Sequence, residues 1–175
     1  LRALGPDTTN GGVTESASDQ LSPLDSAYDY YLSNVIIDSF SPAGSHEYRL
    51  DARRVTHFPE TDLSLLEQPQ LLWHDAQRPD WTLASTTGVL RPDPQRGEDI
   101  LVLQENVVAS RSAGATGPLT IRTASLDVLP AARELFTEEF VTLEGRSMQY
   151  SGTGMRALLH EDRISLLADS RGRYE

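Results

Sequence analysis

At 175 residues the chain is long enough for one domain with a sizeable core and too short for two ordinary ones. Hydrophobic residues make up 38%, a normal globular share once glycine is added, and the absence of cysteine excludes both a disulfide framework and a thiolate metal site. A net charge of −11 argues against nucleic acid and anionic headgroup surfaces as general partners; all 15 cationic residues are Arg, and none is Lys.

From Leu1 to about Ala27 the composition is Gly, Ser, Thr, Asp and Asn without apolar periodicity, which predicts a flexible linker or terminus over 1–27. A chain beginning at Leu1 without a methionine reads as a processed or truncated product, with any signal or anchor preceding it. At Tyr28 short apolar stretches begin, and one domain is expected over 28–175. No stretch approaches the ~18 apolar residues of a membrane span; the longest clean run, Val35-Ile36-Ile37, is a strand fragment.

Turn-forming clusters then recur in order: Ser41–Gly44, Pro59–Asp62, Arg78-Pro79-Asp80, Pro92-Asp93-Pro94, Ala113-Gly114, Gly117-Pro118, Pro130-Ala131, Glu144-Gly145, Ser151–Gly154 and Glu161-Asp162. Such spacing is the signature of an all-β sandwich, barrel or jelly roll. Between the turns apolar and polar residues alternate, as in Tyr48/Leu50/Ala52, Leu119/Ile121, Leu126/Val128, Val141/Leu143 and Met155/Ala157/Leu159. One face is therefore apolar, as in antiparallel strands covered on one side. The alternation slips after Ala52, where Val55 takes the apolar position; a β-bulge accounts for it. Only Ala131–Leu135 looks helical, for about one turn before a strand.

Chemistry is scarce along this framework. His46, His57, His74 and His160 are scattered singly, so no metal site is expected, and no G-x-S-x-G elbow is present. Gly152-Thr153-Gly154-Met155-Arg156-Ala157 matches a dinucleotide fingerprint by letter only. Met155–Leu159 alternates like a strand, and a tight hairpin explains these glycines better. Glu138-Glu139 and Glu60 with Asp62 are carboxylate neighbours that nothing marks as a catalytic pair. No cofactor and no enzymatic activity are expected. The apolar stripe keeps two readings open: a sealed core, or a trough for acyl chains between sheets that splay.

A set of weak motifs, in order, carries a resemblance. Tyr30-Tyr31-Leu32, Phe40, Gly44, Tyr48-Arg49-Leu50-x-Ala52 and Val55-x-His57-Phe58-Pro59 open it. Gln68-Pro69-x-Leu71, Trp81, Leu101-x-Leu103, Asn106-Val107, Pro118–Ile121 with Thr123, Leu126-x-Val128-x-Pro130 and Val141–Leu143 follow. Ser151-Gly152-x-x-Met155-Arg156, Ile164-x-Leu166-Leu167 and Arg171-Gly172-x-Tyr174-Glu175 close it. This series, over about Tyr28 to Glu175, resembles the LptC family, bitopic inner-membrane components of lipopolysaccharide export.

The resemblance implies a twisted, open β-jellyroll of two facing antiparallel sheets, periplasmic and anchored by an N-terminal helix absent from this sequence. Its interior shelters the acyl chains of lipopolysaccharide. By position the lipid-lining matches are Val35, Leu66, Ile164 and Tyr174, and the inward-face pattern adds Tyr48, Leu50, Leu103, Ile121 and Leu143. The acyl chains would supply the affinity while the phosphates stay solvated with divalent cations. An open jelly roll also leaves strand edges for β-augmentation. The N-terminal edge, Tyr30–Phe40 with Tyr31, Ile36 and the turn glycine Gly44, is implied to pair with LptF of the LptB/LptF/LptG transporter. The C-terminal edge, Ile164–Ala168 with Leu166, Leu167 and the shape-keeping Gly152, is implied to pass lipid to LptA. The ATPase LptB supplies the energy. The alternatives are a soluble LptA-like bridge, a periplasmic β-sandwich that binds or hydrolyses polysaccharide, and a structural sandwich with a sealed core.

Overall fold

The computed structural model describes residues 30–75, 78–112 and 117–174, without the side chains of Asp75 and Tyr174; the expected linker over 1–27 lies outside these residues. Eleven strands follow one another: β1 (Tyr30–Phe40), β2 (His46–Phe58), β3 (Leu63–Glu67), β4 (Gln70–Asp75), β5 (Arg78–Ala84), β6 (Thr87–Asp93), β7 (Glu98–Arg111), β8 (Leu119–Leu129), β9 (Glu134–Gly145), β10 (Met148–Leu158) and β11 (Arg163–Tyr174). All pairings are antiparallel and join the strands into one sheet. A 3₁₀ turn, Leu159–Glu161, stands between β10 and β11.

One sheet becomes two layers because its long strands are creased in the middle. β2 pairs with β4 through Tyr48–Asp51 and with β3 through Arg54–Phe58. β7 likewise pairs with β6 through Glu98–Gln104 and with β5 through Val108–Arg111. Left-handed backbone marks the bends at Asn34, Glu105, Asn106, Gly154 and Asp169, and except for Glu105 these are the residue types that adopt it most readily. The β8–β9 ladder is interrupted at the same level, between the pairs Arg122–Thr142 and Asp127–Phe136. Main-chain hydrogen bonds tie the crease together: Gln68 N–H donates to Thr86 O (2.8 Å), Ser85 N–H to Pro69 O (3.3 Å) and Thr86 N–H to Glu105 O (2.9 Å).

The crease corrects three sequence expectations. The slip after Ala52 is not a bulge in the β1–β2 ladder, whose register runs unbroken from Val35–Ala52 to Leu32–Val55. Both strands change face together there, with Asn34 at φ 53°. Ser151–Gly154 lies inside β10 and makes no hairpin. Gly154 bends the strand at φ 73°, and a Cβ at Gly152 would meet Ala168 O at 2.9 Å. Finally, Arg78-Pro79-Asp80 opens β5 and does not turn. Proline is tolerated because the β5–β7 ladder begins only at Trp81 and the β4–β5 ladder shifts register between Asp75–Arg78 and Trp73–Trp81, which leaves Pro79 outside both sets of pairs.

Candidate functional site

Alternation along the strands sends one face of each layer inward, and the inward side chains merge into one cluster. Leu50, Leu66, Leu103, Ile121 and Leu143 all lie in it, packed with Leu71, Leu83, Leu101, Leu126 and Met155. None of these ten exceeds 7% exposure, so the middle of the interior is filled by the protein's own side chains. Tyr48 and Ile164 are half-buried against the cluster. Val35 is half-buried opposite Ala52. Tyr174 ends the β10–β11 ladder opposite Met148, and its side chain lies outside the described residues.

Toward the two ends of the sheet this apolar face runs out into solvent. Leu32 and Ile37 stand opposite the inward residues Val55 and Leu50, yet are 50% and 41% exposed. At the other end Ile164 and Leu166, opposite Ala157 and Met155, are only half-covered. The sequence list of inward residues lacks Leu32 and Ile37. The period of two from Val35 points to Ile37, whereas Leu32 regains the inward face only through the crease at Asn34.

Among the described residues β1 pairs with β2 alone and β11 with β10 alone, so each leaves an open edge. Tyr30, Tyr31, Ile36 and Phe40 are exposed on β1; Tyr30 stacks on His57 (5.1 Å) and Arg54 lies over Tyr31 (5.5 Å). Gly44 takes φ 83° in the β1–β2 turn. Leu167 is exposed on the outer face of β11, while Gly152 sits within β10 between β9 and β11.

Opposite the crease, the tips of the two layers meet along a seam. Trp73 Nε1–H donates to Pro130 O (3.2 Å) and Arg133 to His74 O (3.4 Å). Arg78 donates to the carbonyls of Leu159 and His160, and Arg111 pairs with Asp162 beneath the ring of Trp81.

Electrostatics elsewhere are those of a solvated exterior. Arg49, and then His46, hydrogen-bond Asp38 and hold its carboxyl down at about 2. Burial raises the Asp127 carboxyl, Arg91 opposes that shift and Glu138 adds to it. Among the described residues no three His, Asp or Glu side chains are grouped to hold a metal ion.

Fold and site together define a creased β-jellyroll with an apolar interior and two open strand edges. The family model for lipopolysaccharide-assembly, LptC-related proteins matches residues 9–175, and the chain belongs to that family. Curated relatives include the lipopolysaccharide export system protein LptC of Escherichia coli (strain K12) and that of Shigella flexneri. Each is 26% identical over 137 residues, covering 78% of this chain and 69% of the relative.

Proposed function

We propose that this chain works in lipopolysaccharide export as a binding component that carries no catalytic step, sheltering acyl chains between its layers and passing the lipid onward. The observation that carries the reading is the inward apolar face that stays uncovered at both open edges, around Leu32 and Ile37 and around Ile164 and Leu166. A sealed structural sandwich would cover those positions itself. A dozen methylenes moved from water into such an interior gain on the order of 10 kcal/mol, ample for carriage without any bond to the phosphates.

In the finer reading, β1 adds to the sheet of LptF in the LptB/LptF/LptG transporter and β11 adds to LptA, so three apolar interiors join end to end. LptB supplies the energy, and an N-terminal helix holds the domain at the inner membrane with its body in the periplasm. The LptC names of the relatives favour this over a soluble LptA-like bridge.

The test is a photo-reactive amino acid placed in cells at Val35, Leu66 or Ile164, with outward Leu167 as the control. Lipopolysaccharide adducts are expected at the inward positions and strongest at the half-open ones. Adducts at none of the three would sink the reading.

A further inference from the structure

The interior is filled at its middle, so an acyl chain enters only if the layers part, and the two sides of the sandwich differ in how they can part. The crease is a run of main-chain hydrogen bonds through Gln68, Thr86 and Glu105, and opening it unmakes the sheet itself. Across the seam, the side chains of Trp73, Arg78 and Arg111 reach the tips of the facing layer, and Arg133, in one of those tips, reaches back to His74 O. Those tips are the 130–133 turn and the 159–162 turn, which lie outside the strand ladders, so parting the seam breaks no ladder pair.

The chemistry of the seam is as particular as its mechanics. In a chain of net charge −11, three arginines, Arg78, Arg111 and Arg133, supply contacts across this seam. Arg111 is only 6% exposed, held under Trp81 at 5.6 Å, whereas its partner Asp162 keeps 49% of its side chain in solvent. A buried guanidinium with an exposed, replaceable carboxylate partner is poised to exchange that partner for another anion. Arg is the side chain whose planar fork fits a phosphate in two bonds.

We propose that the seam is the lateral entrance for the lipid, latched by Arg111 with Asp162 and by Arg78 with the 159–160 carbonyls, and that headgroup phosphates replace those partners on Arg111 and Arg78 as the acyl chains enter. The proposal rests on the carrier reading above and replaces one expectation stated with it, that the phosphates stay solvated, with phosphates held by arginines at the mouth.

The experiment uses the purified chain with lipid A and with lipid A stripped of its phosphates, binding read by displacement of an apolar fluorophore. Wild type binds the phosphorylated form about tenfold more tightly, the scale of one charge-assisted contact. The pair Arg78→Gln with Arg111→Gln brings that ratio to about one. Asp162→Asn, which leaves both arginines in place, speeds uptake of the phosphorylated form. Because the chain has no cysteine, His74→Cys with Arg133→Cys can be bridged across the seam by a disulfide-containing bismaleimide. Bridging abolishes uptake of both lipids and reductant restores it. This arm and Asp162→Asn keep the proposal testable should the double Gln variant fail to fold. Unchanged uptake through a bridged seam, or a wild type indifferent to the phosphates, overturns the proposal and leaves lipid carriage standing. Failure of wild type to bind either lipid overturns the carrier reading along with it.

Discussion

β1 and β11 each pair with a single neighbour among the described residues, yet they offer different chemistry to whatever lies beyond them. Along β1, Tyr30, Tyr31, Leu32, Ile36, Ile37 and Phe40 are all exposed, so apolar side chains stand on both faces of the strand. Along β11 the exposed positions include Arg163, Ser165, Asp169, Ser170, Arg171 and Arg173, with Leu167 the one large exposed apolar side chain among the described ones. A bare apolar edge strand is an aggregation liability unless a partner covers it continuously, whereas charged edges suit pairing that forms and dissolves. Under the proposed function, this difference suits a lasting partner at β1 and a passing one at β11, and each half of that contrast can be tested.

The largest effect that breaks this comparison is expected at the inner border of β11. Gly152→Val places a side chain against Ala168 O, a backbone atom that cannot yield without moving β11. It should cost about 2–3 kcal/mol and lower Tm by roughly 5–10 °C in thermal unfolding. An unchanged Tm would mean that β11 is less firmly docked than its ladder implies.

At the other edge, Ile36→Glu with Phe40→Glu changes exposed positions and should leave stability within about 0.5 kcal/mol. Its effect falls on the partner: co-purification with the LptB/LptF/LptG transporter drops at least about tenfold if β1 is the lasting interface. Retained co-purification would contradict that assignment.

Ile164→Glu sharpens the contrast from the β11 side. The position is half-covered, so the fold survives at a cost of about 1 kcal/mol, and binding to LptA weakens roughly tenfold. Pulldown of LptA as strong as with wild type would remove β11 from the handover.

The smallest effect is the pH response of the β1–β2 hairpin. Asp38 titrates at about 2 in the folded chain against an ordinary 3.8, because Arg49 and His46 hydrogen-bond its charged form. A depressed carboxyl contributes its stability above the unfolded value and loses it as pH falls through the folded one. Amide exchange in β1 should therefore quicken between about pH 4 and pH 2, and Asp38→Asn should flatten that dependence. An identical profile in the variant would rule out the pair as a clasp on β1.

Much of this molecule was legible from local pattern. Period-two alternation put Leu50, Leu103, Ile121 and Leu143 on the inner face because pleating sends every second side chain the same way. What escaped was the crease. Glu105 at φ 63° carries no local signature, and neither Gln68-Pro69 nor Ser85-Thr86 was read as a turn, though both join strands across the bend. Gly152 and Gly154 announced special backbone, yet letters alone could not separate a hairpin from a bent strand beneath β11.

The sequence by itself determined an all-β chain with one apolar face, no cysteine chemistry and apolar residues crowded where β1 lies, since these follow from composition and from the two-residue repeat of a strand. Only the tertiary structure decided where the long strands fold over, which inward residues are sealed and which stay open, and that Arg78 and Arg111 meet the 159–162 turn. Those pairs are separated by 81 and 51 positions along the chain. No local rule brings them together: the contact exists because two layers share a crease, and geometry at one side of the sandwich fixes what touches at the other.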